Sequence, residues 1–304
     1  MRPDDSSVDE GTLAEIRQHV ARALKDSGAA GVFPTPVGKI IAAAQLSIDP
    51  NVSLDESFFS KLYRTAGERI RRAVSKVLGL LDVKGRLIYL DHTLPKTRRA
   101  FVALHETGHH TLPWQRDTYE FLEDSEQDLD LDLKDQFERE ANVFASEVLF
   151  QGDRFVTEAV GLPFEIESAI ALSKQFGASL YATLRKYVAT SPNPCVLIVY
   201  EAPAYLIGSG YGAPLRRVIT SAEFVARHGD VKWPERCTKT NFLSSLLFPT
   251  WKIKRSVKCT VSIAGEAIPF RFDAFNNGQY GYYVLAFPET VRPPRRRRAA
   301  VSMG

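Results

Sequence analysis

The sequence predicts an α+β fold, mainly helical with one small β-sheet over its first half and β-rich over its second. Three observations predict it. Apolar residues recur at three- and four-residue spacing through most of the first 190 positions. A pair of short apolar runs flanking a glycine turn interrupts them near Gly85. Beyond Pro192 and Pro194 the helical period gives way to short β-branched and aromatic runs.

In chain order, Leu13, Ile16, Val20 and Leu24 share one helical face, and Gly28 with Gly31 stops that run. Pro36 opens a second short helix ending near Leu46, and residues 54–77 read as a longer one, burying Phe58, Leu62, Ile70 and Val77 with Arg69, Arg71 and Arg72 solvated. Residues 79–83 and 86–90 form a hairpin about Lys84-Gly85. Helical spacing resumes at 97–110 and 134–150, and residues 164–188 read as two helices broken at Gly177. Strands are expected at 195–200, 252–264, 268–275 and 280–287, with Asn277-Gly278 as a turn. The implied organisation is a catalytic domain over residues 1–160, a helix-turn-helix-like pair over 161–190, a β-rich sensor or docking domain over 191–290 and a disordered basic tail over 291–304.

Composition narrows the function. The chain has 304 residues, 44% of them apolar, which suffices for a substantial core. Its net charge of +3 is misleading, because Arg292, Arg295, Arg296, Arg297 and Arg298 all lie in the tail and the remainder is slightly acidic. A broad phosphate-neutralising surface is therefore not expected. Cys195, Cys237 and Cys259 are odd in number and widely spaced, which excludes a disulfide framework and a cysteine-ligated metal. No apolar h-region or spanning segment is evident, so a cytoplasmic chain with no membrane partner is expected.

The chemistry concentrates in Ala103-Leu104-His105-Glu106-Thr107-Gly108-His109-His110. Here HExxH lies on a helix, so His105 and His109 project from one face and can share a cation, with zinc the natural occupant. Glu106 would stand beside the activated water as general base and then pass the proton to the leaving amine.

A catalytic zinc needs a third protein ligand. His110 is a poor one, about 140° around the helix from His105. Glu138, in Glu138-Arg139-Glu140-Ala141-Asn142-Val143-Phe144-Ala145, is better, because Glu138 and Asn142 form an i, i+4 pair. Glu138 could bind the metal while Asn142 hydrogen-bonds a ligand histidine and fixes its tautomer. Glu140 would point elsewhere.

These two blocks, the first running from Arg98-Arg99-Ala100-Phe101 through His109 and the second reading ExEANxFA, resemble the ImmA/IrrE family of metallo-endopeptidases in order and spacing. The resemblance covers about Pro36 to Val188. It implies a zincin-like, gluzincin-type peptidase domain with Glu138 as third ligand. It also implies a protein substrate, a helix-turn-helix repressor whose cleavage relieves repression in a stress or mobile-element response. The sequence departs from the family at Val102 and Leu104, where threonine and alanine are common, and at Phe150-Gln151, where Met-Pro often ends the helix. A His, His, Glu set also accepts manganese or iron.

The alternative function is a DNA-binding transcriptional regulator with a structural zinc site. It would use the 165–188 helix pair, whose second helix offers Arg185 and Lys186 to phosphates, although base-reading side chains are scarce and a packed helical hairpin is the plainer reading. The eleven acidic residues from Asp117 to Glu140, with Asp128, Asp130 and Asp132 alternating, read as a mobile solvated loop, since the calcium-loop glycine and glutamate are missing. Tyr119, His110 and Tyr63 are candidate oxyanion donors. His19 and His92 read as surface groups. Trp233, Phe242, Trp251, Phe270 and Tyr283 read as core aromatics.

Overall fold

A computed structural model describes residues 7–54, 79–125, 130–206, 210–239, 241–247 and 252–289. The expected helix over 54–77, all but its first residue, and Tyr63, Asp128, Trp251 and the arginine tail lie outside the described residues. The described residues divide into two compact units, one running to Phe155 with Lys174–Ser179, the other comprising Val156–Ser173 and the residues from Leu180 onward.

The first unit begins with α1 (Glu10–Asp26), whose N-cap Asp9 accepts a hydrogen bond from Thr12 N at 3.0 Å. Its buried stripe, Ile16, Val20 and Leu24, packs on a long helix farther along the chain. Helix α2 (Val37–Ala43) leads to β1 (Ser47–Ser53). A hairpin follows, β2 (Gly79–Asp82) and β3 (Leu87–Leu90), closed by Asp82 Oδ1 accepting from Gly85 N at 2.7 Å. The strand order is β1-β3-β2, with β1 parallel and β2 antiparallel to β3, so β2 is an edge. Helix α3 (Lys96–Thr111) lies on β2 and β3, where Val102 and Ala103 join Ile41, Leu46, Ile88 and Leu90 in one cluster.

Two helices replace most of the expected acidic loop. Helix α4 spans Pro113–Ser125, with proline at its first position, where a missing N–H costs nothing. Helix α5 spans Leu131–Phe150 and starts before the expected Lys134, because Asp130 caps it by accepting from Asp132 N at 2.9 Å. The charges on these segments misled the sequence reading: Gln115 is fully buried, and so anchors α4 to the core. At the end of α5, Gln151 takes a left-handed conformation, φ 50°. Its amide donates to Ala29 O, Val32 O and Thr35 Oγ1 and accepts from Gly31 N, so this residue ties the helix end to the α1–α2 loop.

Helices α6 (Asp153–Val160) and α7 (Ile166–Phe176) precede α8 (Leu180–Ala189), with Gly177 at φ +67° forming the break between the last two. In the second unit, α8 buries Thr183, Leu184, Tyr187 and Val188 and packs on β4 (Val196–Tyr200) and β6 (Gly210–Thr220). The sheet is antiparallel, completed by β5 (Ala204–Leu206), β7 (Arg236–Cys237), β8 (Ile253–Ile263), β9 (Glu266–Asn276) and β10 (Tyr282–Pro288), in the order β5-β6-β4-β10-β9-β8 with β7 beside β6. Helices α9 (Ala222–His228) and α10 (Ser244–Leu247) complete this unit. Strands β4 and β10 are buried along their whole length, as central strands covered on both faces must be. Trp233, Phe270 and Tyr283 are core residues, whereas Phe242 is 42% exposed. Sequence reading missed β6, which carries Pro214, Arg216 and Arg217 and a register shift opposite Val199 and Tyr200, so no clean alternation survives in it.

The fold is thus mixed helix and sheet, with a helical first part and a β-rich C-terminal region. Among the described residues no helix is long and apolar enough to cross a membrane.

Candidate metal centre

Helix α3 lifts His105 and His109 one turn apart, and their Nε2 atoms stand 3.1 Å from each other. Glu138 reaches across from α5, with Oε2 3.4 Å from His105 Nε2 and Oε1 3.8 Å from His109 Nε2. Potential ligand atoms of these three side chains all lie within 4.8 Å of one another. Gly108 permits the approach of the two helices: a Cβ there would sit 3.1 Å from Phe144 Cδ1 and 3.4 Å from Ala141 Cα.

The outer ring nitrogens are also engaged. Asn142 Oδ1 lies 3.1 Å from His105 Nδ1, the orienting contact expected from its i, i+4 relation to Glu138. Gln115 Oε1 lies 2.7 Å from His109 Nδ1, a partner that sequence reading missed because nothing in the primary order links α4 to the motif. With both Nδ1 atoms facing oxygen acceptors, both Nε2 lone pairs and a carboxylate converge on one small space. Such a set of acceptors fits a cation. Donors around one tetrahedral ion stand about 3.3 Å apart, close to the spacings here.

The electrostatics describe the same crowding. Burial works against charge on His105, but the Glu138 hydrogen bond and the negative charges of Glu106 and Glu138 hold its pKa above the usual value. His109 goes the other way, lowered to about 4 by burial and by the neighbouring His105. Glu138 drops to about 2, because the two histidines and Lys134 outweigh its partial burial. Glu106 is 6% exposed and its pKa is pushed up to about 7, by burial first, with His105 opposing and Glu138 adding.

Gly79, at the start of the edge strand β2, lies against Glu106. A Cβ at that position would come within 2.7 Å of Glu106 Oε1 and 2.6 Å of Val102 Cγ1, so only glycine lets the strand pass this close to the carboxylate. Of the candidate oxyanion donors, Tyr119 is brought to the site, with its ring 5.5 Å from that of His109 and edge-on to it. Burial, then the charges of Glu138 and Glu106, raise its pKa well above the ordinary range. His110 is half-buried and outside the three-residue group. His19 packs edge-on to Trp114 at 5.7 Å. Glu140 turns away from the cluster and is buried among Trp114, Gln115 and Gln136.

Residues 62–187 match the peptidase M78 family, described as the IrrE N-terminal-like domain. This stretch is therefore similar to the ImmA/IrrE family. The ImmA/IrrE match spans α3 and α5, hence every residue of the candidate centre. No curated protein matches the chain. Among solved structures, a Mycobacterium tuberculosis transcriptional regulator is similar in fold, with 13% identity and a TM-score of 0.52 over 90% of this chain and 75% of that one.

Proposed function

We propose that this ImmA/IrrE-type chain is a zinc-dependent endopeptidase of gluzincin type. The observation that carries the proposal is the convergence of His105, His109 and Glu138 from two helices, with Glu106 buried beside them. When bound by these three side chains, a divalent ion, zinc or else manganese or iron, supplies the positive charge that acidifies water and polarises a peptide carbonyl.

The chain's own residues do the rest. Glu106 accepts the proton as the water oxygen bonds to the carbonyl carbon, and delivers it to the amide nitrogen as the C–N bond breaks. Its poise near pKa 7 suits both halves of that transfer. The Tyr119 hydroxyl is the donor that stabilises the negative oxygen developing on the carbonyl. Asn142 and Gln115 hold the histidine rings in place.

The substrate class proposed is a cytoplasmic helix-turn-helix repressor, cleaved to relieve repression. Its support is the family resemblance and the fold similarity to a transcriptional regulator. Glu106→Gln tests the mechanism: hydrolysis is expected to fall by about 10²–10⁴-fold with bound metal unchanged. Full cleavage by that variant would overturn it.

The same fold similarity favours one other reading, a DNA-binding regulator with a structural metal. Helix α8 buries Thr183, Leu184, Tyr187 and Val188, and this reading would use Arg185 and Lys186 of the same helix as its phosphate contacts. A salt-sensitive operator shift that survives Glu106→Gln and disappears on substituting Arg185 and Lys186 would favour it.

A further inference from the structure

The residues behind His109 form a chain of hydrogen bonds whose donor and acceptor roles are forced. Gln115 is completely buried. Its Nε2 lies 3.2 Å from Phe137 O and 2.7 Å from Glu140 Oε2. A backbone carbonyl only accepts, so the Gln115 atom facing Phe137 must be the NH2 group. The amide cannot flip, and Oε1 is left facing His109 Nδ1 at 2.7 Å. Amide oxygen also only accepts, so His109 Nδ1 must carry the hydrogen and, in the neutral ring, Nε2 must hold the lone pair.

Glu140 fixes the far end. It is 1% exposed, and Oε2 accepts from Trp114 Nε1 at 2.7 Å while Oε1 accepts from Gln136 Nε2 at 2.8 Å. An indole N–H only donates, so Oε2 accepts there as it does from Gln115. Both carboxylate oxygens are thereby occupied, and the plane of the Gln115 amide is set by groups on α4 and α5 together.

We propose that Gln115, clamped by Glu140 and the Phe137 carbonyl, is the positioning residue that fixes His109 in its Nδ1–H tautomer and aims its Nε2 lone pair at the space shared with His105 and Glu138. The inference rests on the reading of His109 as a metal ligand, but the tautomer itself requires no metal. Gln115 touches no substrate and acts only through the imidazole.

The test uses the full chain with 15N-labelled histidine. In metal-free wild-type protein above neutral pH, long-range 1H–15N correlation is expected to show the hydrogen on Nδ1 of His109. In Gln115→Leu the ring is expected to lose that preference, and zinc affinity, read by competition with a chelating dye, to fall about 10–100-fold. Should Gln115→Leu fail to fold, Gln115→Met, which keeps the unbranched side chain but offers His109 Nδ1 no amide oxygen, is expected to lose the preference instead. A Gln115→Leu or Gln115→Met protein that keeps His109 wholly in the Nδ1–H form would overturn the proposal. Wild-type protein that binds no divalent ion would instead overturn the metal-site reading, and the tautomer comparison would still decide the role of Gln115.

Discussion

Replacing Gly79 with alanine tests how closely the edge strand is fitted to Glu106. The added methyl would lie 2.6 Å from Val102 Cγ1, 2.7 Å from Glu106 Oε1 and 3.0 Å from Glu106 Cγ. Carbon atoms in contact prefer about 3.5–4.0 Å, so something must move by roughly an ångström. Val102 is β-branched on a helix and confined to one rotamer, whereas the Glu106 carboxylate is the free end of a longer side chain. The carboxylate is therefore the group expected to yield. Overpacking of this kind costs about 1–3 kcal/mol of stability. An ångström of misplacement at a reacting group costs on the order of 10²-fold in rate, or about 2.7 kcal/mol of barrier. Gly79→Ala should accordingly retain its metal, melt a few degrees lower and hydrolyse a quenched-fluorescence peptide mixture about a hundredfold more slowly. Wild-type kcat/KM in a variant with normal metal content would refute the argument, whatever the melting temperature.

Three further outcomes follow from the same geometry. Gly108→Val pushes α3 from α5, where even a Cβ would stand 3.1 Å from Phe144 Cδ1, and should cost about 1–3 kcal/mol in denaturant unfolding while weakening zinc binding; unchanged affinity would count against the helix contact as what sets the ligand spacing. In metal-free protein, Glu106 has a folded pKa near 7, above its unfolded value, so its charged form opposes folding. Glu106→Gln should therefore match wild-type stability near pH 4 and become progressively more stable relative to it as pH rises through 7. Urea titrations along that range check the slope, and saturating zinc should flatten it. Finally, burial raises the Cys195 and Cys237 thiols to about 11 and about 12, so native protein should be alkylated at Cys259 alone, and mass mapping of more than one modified site would contradict the burial.

How much could be read without coordinates varied with the range of the interaction. Helices α3 and α5 follow from apolar spacing, and both glutamate and asparagine of the i, i+4 pair point to one side of α5 for the same local reason. Charge misdirects the reading at α4: its acidic residues suggest a solvated loop, while the contacts of Gln115 and Trp114 that hold it are made to a helix some twenty-five residues away. The strand β6 is hidden by its arginines and its bulge, because a sheet with faces differently covered along its length leaves no steady period.

What the sequence determines by itself is the pair of histidines on one helical face, the glutamate between them, and a second helix carrying a carboxylate and an amide in register. These depend only on the 3.6-residue repeat. The tertiary structure alone decides that Glu138 stands within 3.4 Å of His105, that Gln115 rather than Asn142 holds His109, and that Gly79 passes over Glu106. Each of those depends on the distance between separate elements. That distance is set by how Gly108, Ala141 and Phe144 pack, a matter of volume and contact that no local periodicity encodes.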